Sequence, residues 1–156
     1  MFKEQKYNIQ NIKKRIENYC SIKDRCVWEV KQKLSNLGVL EKESKELIKE
    51  LTENRFIDNK RYAESYCRGK FRIKKWGKIK IRKELERKKI PIDLIKKGME
   101  KINEKEYFDV LKELYVKKKN STNEQDKFIR KGKISRYLQQ KGFEMNIIWK
   151  IINTDK

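Results

Sequence analysis

The sequence predicts an all-α protein, an elongated array of three tandem three-helix repeats with helix-turn-helix-like units. Three observations predict it: apolar residues recur at helical spacing, sustained period-two alternation is absent, and a local pattern returns three times. One proline and six glycines interrupt the 156 residues. A unit of ~45–50 residues has a marginal core when alone, so we expect end-to-end stacking to bury the remaining apolar surface.

Nine apolar stretches mark the predicted helices in chain order. Their leading members are Ile9, Val30, Ile48, Tyr62, Ile81, Ile92, Phe108, Ile134 and Ile148. Tyr66 and Ile73 continue the apolar face of the fourth helix. The predicted divisions are a flexible N-terminus at 1–8, a first repeat at 9–55, a basic central repeat at 56–103 and a third repeat at 104–156.

The predicted helix ends have local causes. Gly38 and Gly142 follow helices and can take the left-handed conformation without steric cost. Asp58 is expected to cap the N-terminus of the fourth helix. Pro91 suits the first turn of the sixth helix, where its missing N–H costs nothing. We expect a polar loop at residues 120–123 between the seventh and eighth helices.

The repeat is clearest at the end of the second helix of each unit. A leucine there is followed, five residues on, by an apolar residue; the pairs are Leu34–Val39, Leu85–Ile90 and Leu138–Phe143. The residue just before the apolar one is glycine in the outer units and Lys89 in the middle unit. Because the same pattern ends three helices, the units are predicted to share one local structure.

Positive charge is concentrated in the second repeat. The chain has a formal net charge of +20, from 43 basic and 23 acidic side chains. Residues 68–90 contain twelve basic and two acidic side chains, which is half of that excess. A genome of biased composition would spread lysines evenly and predicts this cluster poorly. The cluster therefore predicts an anionic partner, such as nucleic acid or a nucleoprotein filament.

The candidate contacts with that partner share this segment. They are Arg68, Lys70, Arg72, Lys74, Lys75, Trp76, Lys78, Arg82, Lys83 and Arg87. Trp76 interrupts the basic run, and two interpretations remain open for it. The indole either stacks on a base or fills a partner's pocket, or it packs the junction between two helices, which is the favoured interpretation.

Several classes of function are disfavoured. Histidine is absent, the three cysteines Cys20, Cys26 and Cys67 have no metal-site spacing, and no glycine-rich phosphate loop occurs. We therefore expect no catalytic residue, no metal and no cofactor, and a protein that is not an enzyme. No apolar run approaches the ~20 residues of a membrane span. A cytoplasmic protein with no membrane partner is expected.

Several short motifs together resemble the RecX family. Residues 56–63, 76–85 and 89–91 look like the central block of RecX proteins, and 25–38 and 141–143 resemble its first and last repeats. The family-motif residues, expected to be structural, are Phe56, Asp58, Tyr62, Ala63, Gly77, Ile81, Leu85 and Pro91. Lys89 departs from the pattern, because the family usually has glycine there.

The resemblance implies a regulator of the RecA recombinase in DNA repair, recombination and the SOS response. It implies a monomer that lies in the groove of the RecA filament, contacts single- and double-stranded DNA, and restrains ATPase and strand-exchange activities. The main alternative is a non-sequence-specific nucleic-acid-binding helical module without a recombinase partner. A sequence-specific reader is disfavoured, since residues 78–89 offer mainly lysines. A pure protein adaptor and an enzyme of an unfamiliar helical type are the remaining alternatives.

Overall fold

The computed structural model describes residues 7–155. That range contains helices and no strands, which confirms the predicted all-α class. The helices are α1 (Ile9–Ile22), α2 (Val27–Asn36), α3 (Glu41–Glu53), α4 (Asn59–Arg72), α5 (Lys78–Arg87), α6 (Ile92–Met99), α7 (Glu104–Ser121), α8 (Lys127–Gln140) and α9 (Met145–Thr154). We refer to α1–α3, α4–α6 and α7–α9 as the first, second and third units.

The second helix of each unit ends in the same hydrogen-bonded turn. In each unit the backbone N–H of an apolar residue donates to the carbonyl of the leucine five residues earlier. The donors are Val39, Ile90 and Phe143, and the N···O distances are 3.1, 3.1 and 3.2 Å. The preceding residue is left-handed each time, with φ of 76° at Gly38, 60° at Lys89 and 99° at Gly142. This is the Schellman motif. Lys89 adopts the conformation despite its Cβ, at a cost of about 1 kcal/mol.

Side-chain caps begin the first helix of every unit. Asn8, Asp58 and Asn103 each accept backbone N–H bonds at the start of α1, α4 and α7. The predicted cap at Asp58 is thus confirmed, with the Arg61 N–H as donor at 3.0 Å. Tyr7 also belongs to the first unit, since its hydroxyl accepts from the Leu40 N–H at 2.9 Å. Residues 1–6 of the predicted flexible segment lie outside the described residues.

Three local expectations need correction. Pro91 precedes α6 as its N-cap instead of lying within the first turn. The predicted loop at 120–123 starts later, because α7 continues through Ser121, and the hydroxyl of Thr122 donates to the Lys118 carbonyl at 2.6 Å. Ile73 does not extend the apolar face of α4; it follows the end of that helix and is 79% exposed.

The described helices build two separate hydrophobic cores. The first core lies within the first unit and includes Ile16, Leu34 and Leu51. The second core is shared by the second and third units, so that α4, α5 and α6 pack around the same interior as α7, α8 and α9. Cys26, from the first unit, is buried in this second core. None of the described helices has the length and apolar character needed to cross a bilayer.

Candidate polyanion interface

The basic residues gather where α4 ends and α5 begins. Lys70 and Arg72 lie in the last turn of α4, and the loop that follows turns back so that the Trp76 N–H donates to the Lys70 carbonyl at 3.1 Å. Lys75 takes a left-handed φ of 55° in this loop. Gly77 then precedes α5 as its N-cap, and the N-terminus of that helix carries a partial positive charge of its own. The chain reversal thus brings two basic helix ends together.

Trp76 is half-buried within this cluster. The Nζ atoms of Lys70 and Lys80 lie 5.0 and 4.5 Å from the centroid of the indole ring, and the ring of Tyr66 meets it edge-on with centroids 6.5 Å apart. The indole also packs against the second core. Cation–π attraction of this kind holds the lysines over the ring. The arrangement favours the packing interpretation of Trp76 over that of a free stacking platform.

Two lysines of this region sit among other lysines. Burial is the largest cause that lowers the pKa of Lys70, and the positive charges of Lys74, Lys88 and Lys23 lower this pKa further. Burial is likewise the largest cause that lowers the pKa of Lys141, and the positive charges of Lys80, Lys75 and Lys74 add to this effect. In each case the neighbouring ammonium groups disfavour the charged form. The positive field on both sides of Trp76 is therefore only partly balanced by carboxylates, and a bound anion would relieve the repulsion.

Lys141 comes from the third unit and was missed by the sequence analysis. It ends α8, and its Nζ donates to the Lys74 carbonyl at 2.9 Å across 67 residues of chain. Lys80, which covers Trp76, was missed as well. One signal could have found Lys141, because it follows Leu138 by three residues just as Lys88 follows Leu85. We define the lysine cluster as Lys70, Lys74, Lys75, Lys80 and Lys141.

The ten predicted contact residues differ in how free they are. Lys78 is packed between the units, and its side chain is only 17% exposed. Its ammonium group is ion-paired to Glu104, and the Nζ atom lies 4.7 Å from the centroid of the Tyr107 ring. Lys75 pairs with Glu113 at 3.2 Å and Arg87 with Glu84 at 3.1 Å. The side chains of five others are exposed and have no ion pair among the described residues; they are Arg68, Arg72, Lys74, Arg82 and Lys83.

The family-motif residues hold the framework under this surface. Tyr62, Ala63, Gly77, Ile81 and Leu85 are buried, Phe56 packs on the first core and Asp58 caps α4. A Cβ on Gly77 would overlap the backbone of Gly142 and Phe143. The Gly77 N–H donates to the Lys141 carbonyl at 2.7 Å, and the Ile79 N–H donates to the Gly142 carbonyl at 3.0 Å. Glycine at position 77 therefore allows this close approach between the backbones of the second and third units.

The junction between the first and second units is polar by comparison. Asp24 accepts bonds from Arg61 Nε at 2.9 Å and from the Ser65 hydroxyl at 2.8 Å. Glu29 pairs with Lys88 at 3.5 Å, and the Lys88 ammonium also donates to the Tyr62 hydroxyl at 2.7 Å. Burial and the nearby Glu29 carboxylate raise the pKa of Tyr62, so its hydroxyl stays neutral.

The thiols and carboxylates show no metal-site arrangement in the part of the chain that the structure describes. Across residues 7–155, no group of three or more cysteine, aspartate and glutamate side chains is placed to hold an ion. Cys20, Cys26 and Cys67 are buried free thiols. Burial raises the pKa of Cys67 to about 12, so it is a neutral packing residue.

Comparison with protein-family models gives two adjacent matches. Residues 58–99 match the second three-helix domain of RecX, and residues 104–152 match its third three-helix domain. These ranges cover the second and third units and include all five residues of the lysine cluster.

Individual relatives and solved structures carry the same family name. The chain is 34% identical over 128 residues to the regulatory protein RecX of Clostridium acetobutylicum, covering 80% of this chain and 59% of that protein. The chain is also 32% identical over 127 residues to the regulatory protein RecX of Clostridium botulinum, covering 80% of this chain and 58% of that protein. The chain thus spans between half and three-fifths of the length of such relatives. The crystal structure of RecX from Lactobacillus salivarius superposes with a TM-score of 0.81 at 28% identity, over 94% of this chain and 95% of that one.

Proposed function

Because the chain belongs to the RecX family of regulatory proteins, we propose that it binds the RecA recombinase and the RecA–DNA filament in the cytoplasm and restrains the filament's ATPase and strand-exchange activities. The relatives are named as regulators and not as enzymes. The proposal therefore assigns no reaction to this chain. It assigns a binding surface, which acts on the chemistry of another protein.

The lysine cluster is the observation that carries the proposal. It draws charge from α4, from the following loop, from α5 and from the end of α8, so it spans the junction between two units. The shared second core fixes the relative positions of the backbone segments that carry these lysines before any partner binds. A filament presents DNA phosphates at a regular spacing, and lysines carried on a fixed framework bind such phosphates with a smaller loss of entropy than lysines on a mobile segment.

Restraint of ATPase follows if the array contacts more than one recombinase subunit. A ligand changes a conformational equilibrium only by its difference in affinity for the two states. An array that spans neighbouring subunits favours the subunit arrangement that matches its own fixed spacing. ATP turnover that requires a different arrangement is then slowed, and inhibition is the expected sign.

The test is ATP hydrolysis by the cognate RecA on single-stranded DNA while this protein is titrated in. We expect inhibition at concentrations well below that of RecA. The triple variant Lys74→Glu, Lys80→Glu, Lys141→Glu is expected to lose inhibition while retaining its helical circular dichroism. A matched control, Lys31→Glu, Lys117→Glu, Lys150→Glu, has the same net charge at three exposed positions of the first and third units and should still inhibit. Inhibition by both triple variants would contradict the assignment of the surface.

The second candidate is a nucleic-acid-binding module without a recombinase partner. It is favoured by α5, whose exposed basic side chains suit phosphate contact more than base reading. Absence of any effect on RecA, together with DNA binding whose logarithmic affinity falls steeply with salt, would support this candidate. Each phosphate contact contributes about −0.9 to that slope on duplex DNA.

A further inference from the structure

A cleft of about 290 Å³ opens where the first and second units meet. Lys23, at the end of α1, lines it from the first unit. From the second unit it is lined by Tyr66 and Lys70 of α4 and by Lys88 at the end of α5. We refer to this space as the junction cleft. Because both units contribute to its walls, its shape depends on how the first unit lies on the second.

The carboxylates that line the junction cleft are already paired. Asp24 accepts from Arg61 at 2.9 Å, and Glu29 pairs with Lys88 at 3.5 Å. Each of these pairs is electrically neutral as a whole. The charge that the cleft offers to a ligand therefore comes from its other cations.

Two ammonium groups and one hydroxyl of the cleft are available to a ligand. Lys23 and Lys70 form no ion pair with any residue between 7 and 155, although the Lys70 Nζ lies 5.4 Å from the Tyr66 ring centroid. The Tyr66 hydroxyl makes no hydrogen bond within the same range. Burial, and to a smaller extent the carboxylate of Glu84, raises the pKa of Tyr66 to about 12, so this hydroxyl keeps its proton and can donate it. Two cations and a neutral donor suit a phosphate group, which has negative charge and several acceptor oxygens.

A second, mainly apolar space of about 190 Å³ continues from the cleft along α4. It shares Tyr66 and Lys70 with the cleft and adds Gly69 and Ile73. A Cβ on Gly69 would meet nothing within 4 Å, so no other group fills the space beside it. Ile73 is 79% exposed and has no packing role that explains its position. We refer to this space as the apolar extension; an aromatic ring and an exposed aliphatic side chain form its walls, which suits a flat base.

We propose that the junction cleft and the apolar extension together bind one nucleotide unit. The phosphate lies between Lys23 and Lys70 and accepts the hydrogen of the Tyr66 hydroxyl, while the base lies against the Tyr66 ring and Ile73. Inorganic phosphate leaves the extension empty, and a base stacked inside a duplex cannot enter it. The nucleotide unit is therefore either a free nucleotide or one nucleotide of a single strand.

A ligand at this position joins the first unit to the second. Because Lys23 belongs to one unit and Tyr66 and Lys70 to the other, the ligand favours the arrangement that brings them together. The first unit, which keeps its own core and rests on a polar junction, is then held in place. The inference goes beyond the proposed function, since it concerns the protein alone and its test contains no RecA.

The test is calorimetric titration of the full chain with four probes. The probes are deoxyadenosine monophosphate, inorganic phosphate, a short single-stranded oligodeoxyadenylate and the duplex of that oligonucleotide. Contact with the base should make the mononucleotide bind about tenfold more tightly than inorganic phosphate. Amide exchange at residues 22–29 should slow when the mononucleotide or the single strand is bound, because the ligand holds the junction closed.

Two variants separate the base from the phosphate. Gly69→Leu fills the apolar extension from a helical position with free space, so it should weaken the mononucleotide and the single strand and leave inorganic phosphate and the duplex unchanged. Gly132→Leu is its matched control, because a Cβ at this second helical glycine also meets nothing within 4 Å. Lys23→Glu should weaken both the mononucleotide and inorganic phosphate. Its control is Lys14→Glu, an exposed position on the same helix that does not line the cleft.

The outcomes also identify the source of the nucleotide. Mononucleotide binding that Gly69→Leu weakens assigns the site to free nucleotides, and the same sensitivity for the single strand alone assigns it to nucleic acid; both results support the proposal. Binding of both probes that is unchanged in Gly69→Leu, or binding of neither, would overturn it. Unchanged exchange at residues 22–29 with ligand bound would contradict the bridging role of Lys23. Inhibition of RecA is measured separately, so failure here leaves the proposed function standing.

Discussion

The two junctions of this array are built from different chemistry. Between the second and third units, Phe71, Tyr107 and Phe143 form a chain of ring contacts with centroids 5.7 and 5.2 Å apart, over the close approach of Gly77 to Gly142. Between the first and second units, the contacts are mainly ion pairs and polar hydrogen bonds around Asp24 and Glu29, with Cys26 as the buried apolar anchor.

The difference shows which part of the molecule behaves as one body. The second and third units share a core, so separating them would expose apolar surface at about 25 cal/mol per Å². The first unit keeps its own core and could tilt on its polar junction without exposing that core. The lysine cluster spans the apolar junction, and its geometry is therefore held more firmly than the position of the first unit.

The largest expected effect comes from Leu85→Asp, which places a carboxylate in the shared core. Leu85 is 0% exposed, and an unpaired buried charge should cost more than about 4 kcal/mol. We expect loss of cooperative unfolding for the second and third units together, measured by circular dichroism and by hydrogen exchange. If exchange increased in the second unit while protection in α7–α9 stayed at the wild-type level, the idea of a common core would be wrong.

Gly77→Ala tests the close approach at the same junction. The added methyl group would overlap the backbone of the third unit, and overpacking of this kind costs about 1–3 kcal/mol. Gly69→Ala is the matched control, since a Cβ there meets nothing within 4 Å and alanine favours the helix by roughly 0.5–1 kcal/mol. Thermal melts should move in opposite directions for the two variants, and equal shifts would contradict the role given to Gly77.

Asp24→Asn tests the polar junction, and its effect should be smaller. The side chains of Asp24 and Arg61 are 35% and 42% exposed, so their ion pair contributes only about 0.5 kcal/mol after screening by solvent. The expected result is a nearly unchanged melting temperature with faster amide exchange at the first junction alone. Loss of protection in both cores would show that this junction is more rigid than its chemistry indicates. High salt should reproduce the variant's effect in the wild type.

Lys89→Gly should also give a small change in stability, but in the opposite sense, because it is expected to stabilise the protein. Lys89 holds φ at 60° where the outer units have glycine, and relief of that strain should stabilise the second unit by about 0.5–1 kcal/mol. Gly38→Ala is the converse control at the equivalent left-handed position of the first unit, where it should destabilise. Urea denaturation of both variants measures the two signs, and a destabilised Lys89→Gly protein would contradict the repeat assignment.

Much of the fold was predictable because its causes are local. Helical spacing, the Asp58 cap and the glycines at 38 and 142 act within a few residues of chain, and all three appear in the structure as expected. Ile73 was misplaced because a helical pattern does not show where the helix ends. The basic segment was also visible, since it is continuous in sequence, but its assignment as the contact surface stays a prediction.

By itself, the sequence determined the helical class, the threefold repeat and the amount of charge in the middle unit, because periodicity and composition can be read along the chain. Only the tertiary structure decided that Lys141 joins Lys74 and Lys80, that Lys78 is committed to Glu104, and that one junction is apolar and the other polar. These features depend on contacts between residues far apart in the chain. Such contacts are set by how whole units pack, which no local pattern encodes.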